Sequence, residues 1–313
     1  MNGTHVLIIL GGFVDVEKYR YIYFVFFLTV YILIISCNCT IIWLIWIHRN
    51  LHEPMYIFIA ALSLNSLFYS TAFYPKLIVD VLSHQQSISH AACMFQMFCF
   101  YTLAASDFFL LAAMAYDRYV SICKPLQYAT IMSASNVAIL LAVAWLLPGI
   151  KVGLAVYFNT KIKMCKFVSG GIFCNNSANK LQCMKPQILT IYTVFVFINC
   201  EILPVLFILY TYIKIFIISY RRCGRAWKKA AETCLPHLMV LICFSCLVMF
   251  DVVVDKLESD LPKTTRLIMM LQIVMYNPLF NPIIYGLKMK QIWRHIKMLF
   301  GSRSKSNPAR PAR

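Results

Sequence analysis

The feature that most constrains this chain is an apolar run from Tyr21 to Ile47, which contains no Asp, Glu, Lys or Arg. A helix of about 20 apolar residues can cross the hydrocarbon core of a bilayer, whereas buried core helices have shorter apolar runs of roughly 10–14 residues. The whole chain is 61% hydrophobic and 13% charged, against roughly 45–50% and 25% in an average soluble domain. The run therefore predicts a membrane-spanning helix.

Seven apolar segments of this kind follow one another along the chain. Their expected bounds are 21–47, 55–81, 93–119, 137–158, 187–218, 233–255 and 265–287. They predict an all-α membrane protein in which residues 1–290 form a single seven-transmembrane helix bundle. The paired broken helices of transporters and the polar rings of channels are not recognisable in the sequence.

The chain changes character after the seventh segment. Within residues 289–300, apolar and basic residues recur on opposite faces with helical spacing. This pattern predicts a short amphipathic eighth helix that lies on the membrane surface. Residues 301–313 are rich in Ser, Pro and Arg and are expected to form a disordered tail.

The distribution of charge predicts the orientation. Lys and Arg exceed Asp and Glu by 17 (29 − 12), and basic clusters near 221–229 and 288–313 favour a cytoplasmic C-terminus beside anionic lipid. The triplet that begins at Asn2 is a glycosylation sequon, and a second one begins at Asn175. We therefore expect a multi-pass plasma-membrane protein with an extracellular N-terminus and with membrane lipid, not nucleic acid, as a partner.

Four of the 13 cysteines lie in the expected outer segments, namely Cys93, Cys165, Cys174 and Cys183. Cysteines in such segments of a secretory-pathway protein favour disulfides over a zinc site, because paired CxxC spacing and nearby His residues are missing. Four cysteines allow three pairings, and their positions alone do not choose among them.

Four motifs stand in order at the ends of the predicted spans. They are LHEPMY at 51–56, MAYDRYVSICKPL at 114–126, KAAETCLPHL at 229–238 and PLFNPIIY at 278–285. Together they resemble the odorant receptors, a family of rhodopsin-like G-protein-coupled receptors. The residues of the motifs are most similar to those of odorant receptors of the fish type. Of the three disulfide pairings, we expect Cys93–Cys174 with Cys165–Cys183.

The resemblance implies a function. A small odorant would bind in the outer half of the bundle, and the receptor would then trigger nucleotide exchange on a stimulatory olfactory G protein, which raises cyclic AMP. The chain would be a receptor without a cofactor, not an enzyme, and by family it would reside in the cilia of olfactory sensory neurons. The alternatives are a non-olfactory rhodopsin-like receptor for a metabolite or peptide, and a transporter or channel.

Residues at the inner ends of the spans are expected to control activation. Arg118 is a permanent cation at a membrane boundary and needs a partner, which the adjacent Asp117 supplies unless Arg118 simply extends to water. Pro282 removes a backbone donor and predicts a kink in the seventh span. The full set that the resemblance implies is Asp117, Arg118, Tyr119, Tyr212, His237, Asn281, Pro282 and Tyr285.

The ligand cavity is expected to be mostly apolar, with few polar anchors. Lys256 is a candidate anchor for acidic ligands, although an interface lysine that extends to water is an equally simple interpretation. The expected lining is Phe100, Tyr101, Ala104, Ala105, Phe197, Cys200, Ser245, Met249, Val252, Lys256, Leu271 and Val274.

Asp107 is a carboxylic acid in the middle of the third span, where a charge is costly and marks function. The resemblance implies a sodium ion near Asp107, Asn65 and Ser66. The acid that related receptors carry in the second span is replaced here by the Asn65-Ser66 pair. The sequence leaves two interpretations open, a modulatory sodium ion or a protonated Asp107 that is hydrogen-bonded to Asn65, Ser66 or Asn281.

Overall fold

The computed structural model describes residues 7–184, 186–221, 235, 238–246, 249 and 262–301. Its long helices are α1 (Val16–Ile47), α2 (Pro54–Leu82), α3 (His90–Cys123) and α5 (Ala134–Thr160), with the short α4 (Tyr128–Ile131) between the last two. They are followed by α6 (Gln187–Phe197), α7 (Leu203–Arg221), α8 (Lys263–Lys288) and α9 (Lys290–Gly301). The end that carries the disulfides is called the outer end, and the opposite end the inner end.

The described helices match six of the expected segments, with bounds that differ by up to five residues. Helix α1, for example, begins at Val16 and not at 21, because a helix continues past the hydrocarbon boundary wherever its backbone hydrogen bonds are satisfied. Five helical stretches in the described part of the chain are long and apolar enough to cross a membrane, and the bent α8 makes a sixth. Of the segment expected at 233–255, residues 235, 238–246 and 249 are described, and all are helical.

Two serines set the starts of the third and fourth spanning helices. The hydroxyl of Ser89 accepts a hydrogen bond from the backbone of Ala92 at the start of α3, and Ser133 accepts one from Asn136 at the start of α5. A serine at this position satisfies a backbone donor that the helix itself leaves unpaired. Helix α3 packs against α2, α5 and α7 in the centre of the bundle.

Helices α6 and α7 form one continuous 34-residue span, Gln187–Tyr220, which agrees with the expectation of an overlong fifth segment. A π-helical turn at Ile198–Ile202 joins them, and the backbone N–H of Leu203 bonds to the carbonyl of Ile198. Pro204 follows directly and has no N–H to offer the preceding turn. The wider turn therefore accommodates the proline inside the span.

A bend of 46° separates Lys263–Tyr276 from Pro278–Gly286 within α8. The sequence predicts a kink at Pro282, but the break lies one turn earlier, next to Pro278. Pro282 cannot donate to the carbonyl of Pro278, four residues before it. The side chain of Asn38 in α1, which is fully buried, donates to that carbonyl instead at 2.8 Å, and this bond holds the second proline within the helix.

Helix α9 packs against the inner end of the bundle. Ile292 is fully buried, and Ile296 packs on the same hydrophobic cluster. The rings of His48 and His295 lie 3.8 Å apart between their centroids. Burial lowers the pKa of His295, and the nearby His48 and Arg294 lower it further. The expected amphipathic helix is thus present and packed against the protein, while its tail at 302–313 lies outside the described residues.

A small β-sheet at the outer end was not predicted from the sequence. Strand β1 (Leu7–Leu10) lies in the centre, antiparallel to β2 (Ser87–Ser89) and parallel to β3 (Val168–Ser169). Ile8 and Leu10 are buried together with the Cys93–Cys174 disulfide. A five-residue apolar run followed by two glycines is too short a signal to distinguish from a disordered N-terminus. Only the pairing with the two outer loops makes four of these residues a strand.

Gly12 brings this N-terminal segment against the second outer loop. A Cβ atom at position 12 would lie 2.5 Å from the backbone carbonyl carbon of Gly171 and 2.7 Å from the nitrogen of Ile172. Backbone atoms cannot turn aside as the end of a side chain can. The close approach of the two segments therefore requires glycine here.

We predict that Gly12→Ala lowers the stability of the receptor by roughly 1–3 kcal/mol, the usual cost of overpacking. The melting temperature of the detergent-solubilised protein measures this effect. Gly149→Ala is the matched control, because its added Cβ would meet its nearest neighbour at an ordinary 3.8 Å. Equal melting temperatures for the two variants would contradict a tight N-terminal packing.

We predict a loss of about 1–2 kcal/mol for Asn38→Leu, since a buried carbonyl then loses its donor within the membrane. Thr40→Val is the control on the same helix. The Thr40 hydroxyl is exposed and only bonds to the Ser36 carbonyl in its own helix, so its loss should change the stability by less than about 0.5 kcal/mol. Thermal unfolding of both variants checks this, and a control as unstable as Asn38→Leu would refute the role of Asn38.

Candidate functional site: an inner ion-pair cluster beneath a covered outer cavity

Asp117 and Arg118 form an ion pair at the inner end of α3. The guanidinium group donates to one carboxylate oxygen from Nε at 2.9 Å and from Nη2 at 2.5 Å. Asp117 is fully buried, and the side chain of Arg118 is 15% exposed. A buried carboxylate of this kind requires both a charge partner and further hydrogen bonds.

Tyr128 in α4 supplies the further hydrogen bond. Its hydroxyl donates to the second carboxylate oxygen of Asp117 at 2.8 Å. Burial raises the pKa of Tyr128, and the charge and hydrogen bond of Asp117 raise it further, so the hydroxyl stays a neutral donor. Tyr128 was not among the predicted site residues, because it lies eleven positions along the chain and only the turn after α3 folds it back.

The motif at 51–56 reaches the same cluster. Glu53 and Arg118 both lie within electrostatic range of Tyr56 and of Tyr128. Tyr119 packs on the edge of the inner hydrophobic core, in which Tyr212 and Tyr285 are buried. Two of the four sequence motifs thus converge on Arg118, while His237 of the third lies outside the described residues.

A polar network lies in the middle of the bundle between α2, α3 and α5. The side-chain amide of Asn65 donates to the Asp107 carboxyl at 2.7 Å and to the Leu103 carbonyl at 2.8 Å. Its oxygen accepts a hydrogen bond from the indole of Trp145 at 3.0 Å. Both donors of Asn65 are therefore used, and the amide links three helices.

The other polar groups near Asp107 indicate whether the expected sodium ion would find oxygen ligands there. Ser66 does not turn towards Asp107, because its hydroxyl donates to the Leu62 carbonyl in its own helix at 3.0 Å. Asn281 in α8 is buried at 3% exposure. Asp107 is also within electrostatic range of the Tyr285 hydroxyl. The groups next to this carboxyl thus include an N–H donor, whereas a sodium ion needs oxygen ligands.

The second outer loop covers the outer end of the bundle. Disulfides join Cys93 to Cys174 and Cys165 to Cys183, which is the expected pairing. The backbone of Cys174 donates to Gln96 at 2.9 Å, and that of Asn176 donates to the Tyr101 hydroxyl at 2.8 Å. The loop is therefore attached to α3 by a covalent bond and by hydrogen bonds to Gln96 and Tyr101.

Of the expected ligand-binding residues of α3, Phe100 and Tyr101 contact this loop, while Ala104 and Ala105 are buried among other helices. Phe100 packs against Phe73 and Phe173, with ring centroids 5.9 and 5.4 Å apart. Ala104 is buried in the inner hydrophobic core. Ala105 is buried in a separate cluster with Cys200.

The remaining expected residues divide between buried and exposed positions. Val274 is buried and Leu271 packs beside it, and Phe197 and Ser245 are half-buried. Met249 is 48% exposed, so the structure places it at the surface of the bundle and not among the buried residues. Val252 and Lys256 lie outside the described residues.

The two sequons have different outcomes. Asn2 lies outside the described residues. Asn175 is 4% exposed, and its side-chain oxygen accepts hydrogen bonds from the backbone and hydroxyl of Ser177. In the folded protein the nitrogen that would carry a glycan at Asn175 thus belongs to a buried side chain, and glycosylation of this sequon stays a prediction.

Comparisons with known proteins agree with this architecture. Residues 27–303 match the family model described as "Olfactory receptor". The chain is 31% identical to Olfactory receptor 11A1 of Homo sapiens, over 95% of each chain. It is 35% identical to Olfactory receptor 10J5 of Homo sapiens, over 90% of this chain and 91% of the relative.

A third relative extends the comparison beyond primates. Olfactory receptor-like protein OLF4 of Canis lupus familiaris is 31% identical, over 93% of this chain and 95% of the relative. These relatives are mammalian, and the fish type of the sequence stays a prediction. With these matches spanning nearly the whole chain, the protein belongs to the olfactory receptor family of multi-pass plasma-membrane G-protein-coupled receptors, which are seven-transmembrane helix bundles and not enzymes.

Proposed function

We propose that this receptor binds a small odorant in the outer half of its bundle and activates a stimulatory olfactory G protein, which raises cyclic AMP. Its N-terminus would be extracellular and its C-terminus cytoplasmic, in the cilia of olfactory sensory neurons. The observation that carries the proposal is the cluster of Asp117, Arg118 and Tyr128 at the inner end of α3. It keeps Arg118 bound within the protein.

The outer half supports a small and mostly apolar ligand. The expected lining that is buried consists of aromatic and small side chains, with the Tyr101 hydroxyl as a polar group. Pockets of this kind obtain affinity from apolar burial and orientation from a few polar contacts. The disulfide-linked loop above them would exclude large ligands.

The mechanism is a shift between two populations. A ligand that binds the active arrangement better than the resting one shifts the equilibrium by only its differential affinity. In the resting arrangement, both oxygens of Asp117 are engaged, one by Arg118 and one by Tyr128. Movement of the sixth helix away from α3 would release Arg118 to contact the G protein.

We predict that Tyr128→Phe and Asp117→Asn both raise ligand-independent cyclic AMP, because each weakens the hold on Arg118. A hydrogen bond to a charged group contributes about 1.5–3 kcal/mol, so Asp117→Asn, which removes the charge, should have the larger effect. Cyclic AMP is measured in cells that express each variant at the same surface level. Cells that carry an inactive G protein give the background signal.

Tyr220→Phe is the matched control for these variants. Tyr220 also lies near the inner end of the bundle, but it is 80% exposed, and its hydroxyl has no hydrogen bond in the described part of the chain. Its basal cyclic AMP should equal that of the wild type. If Tyr128→Phe had the same ligand-independent cyclic AMP as this control while odorants still raised cyclic AMP, the role of the cluster in the resting state would be refuted.

We propose further that Asn65, and not a sodium ion, organises the polar core around Asp107. This is supported by the amide N–H that Asn65 presents to the carboxyl and by the Ser66 hydroxyl, which donates elsewhere. Replacing external sodium with choline should therefore change the odorant concentration for half-maximal cyclic AMP by less than about 2-fold, or roughly 0.4 kcal/mol. A 10-fold change would support an ion at Asp107 instead.

A further inference from the structure

Lys151 is a cation within a membrane-spanning helix, and the function proposed above does not use it. It lies nine residues before the end of α5, which corresponds to about 14 Å below the outer end of the helix at 1.5 Å per residue. Charged residues at such depth are costly, and they usually face a cavity or a partner that compensates the charge. Lys151 therefore needs an explanation.

The side chain of Lys151 extends from α5 to α6, where its ammonium group lies over the Phe195 ring. Its ammonium nitrogen is 5.8 Å from the centre of the Phe195 ring, and it is within electrostatic range of the Cys200 thiol. Phe195 and Cys200 lie about 12 and 20 Å below the outer end of α6, at 1.5 Å per residue. The ammonium group thus stays at depth and does not extend to the outer surface, as an interface lysine would.

No carboxylate among the described residues lies within 4.0 Å of this ammonium group, since the ion pairs found there are Lys76–Asp80 and Asp117–Arg118. Glu201 follows Cys200 in the chain and, like Lys151, acts on the Cys200 thiol electrostatically. The Phe195 ring offers only a cation–π contact. A phosphate at headgroup level would lie farther away along the helix than one lysine side chain extends.

A cluster of buried residues lies near this contact and includes residues that were expected to line the ligand cavity. Cys200 packs in a buried cluster with Ala105, Val152 and Val196, and Tyr192 lies at the edge of that cluster. The hydroxyl of Tyr192 donates to the backbone carbonyl of Lys151 at 3.1 Å, which fixes α6 against this turn of α5. Cys200 thus lies near the lysine, and Ala105 belongs to the same buried cluster as Cys200.

We propose that Lys151 is the anchor for the carboxylate of an acidic ligand, with the apolar tail of the ligand lying against the cluster of Ala105 and Cys200. This inference rests on the proposed function and names its ligand class, a monocarboxylate with an aliphatic chain. Charge complementarity supports it: a carboxylate supplies the missing counter-ion, and charge-assisted hydrogen bonds are stronger than neutral ones. The charged head and the apolar tail of such a ligand also match the ammonium group and the apolar cluster near it.

The test compares straight-chain acids of four to ten carbons with their primary amides, which have the same shape without the charge. The wild-type receptor should respond to acids at lower concentrations than to amides. Lys151→Met should raise the half-maximal concentration for acids by roughly 10- to 100-fold, while the response to amides stays within about 3-fold. Lys151→Arg keeps the charge and should retain the preference for acids.

Lys214→Met is the matched control. Lys214 also lies in a spanning helix, with its ammonium group 5.5 Å from the centre of the Tyr210 ring, but it is exposed and lies nearer the inner end. This variant should keep the wild-type preference for acids. An equal loss in Lys214→Met and Lys151→Met would overturn the proposal, as would acid responses that Lys151→Met leaves unchanged.

A second readout separates this site from the signalling proposal. The melting temperature of the purified full-length receptor is measured with octanoate or octanamide, since a ligand that binds the folded state stabilises it without any G protein. Octanoate should stabilise the wild type and Lys151→Arg more than Lys151→Met. Selective stabilisation without a cyclic AMP response would keep the site and refute the proposed signalling, whereas equal stabilisation of all variants would refute the site.

Discussion

Inside a bilayer, a backbone carbonyl that loses its donor cannot turn to water, and the bond from Asn38 to the Pro278 carbonyl meets this constraint. It allows α8 to contain two prolines, Pro278 and Pro282, and still pack against α1. The π-helical turn before Pro204 meets the same requirement within one span. The prolines thus shape the bundle because neighbouring groups replace their lost hydrogen bonds.

The two ends of the bundle are held in different ways. At the outer end, two disulfides and a sheet built around β1 fix the loop that covers the expected cavity. At the inner end, the contacts of Asp117 with Arg118 and Tyr128 are noncovalent. Covalent closure on one side and a breakable ion pair on the other suit a receptor in which ligand binding outside changes contacts inside.

Much of the fold could be predicted from the sequence, because a bilayer imposes a length of about 20 apolar residues on every span. Arg118 and Asp117 were predictable because a motif and the cost of a charge both identify them. Tyr128, Asn38 and Trp145 were not, since each acts on a residue that is close only after folding. Asn175 shows the converse: its sequon is plain in the sequence, but burial of the side chain removes it from the surface.

The sequence by itself determined the class of the protein, its spans and the family to which it belongs, because hydropathy and ordered motifs are local properties of the chain. Only the tertiary structure decided which polar groups meet which partners: Asn65 meets Asp107 and Trp145, and Lys151 meets the Phe195 ring of α6. These pairings depend on the rotation and packing of neighbouring helices, which no local pattern of residues encodes.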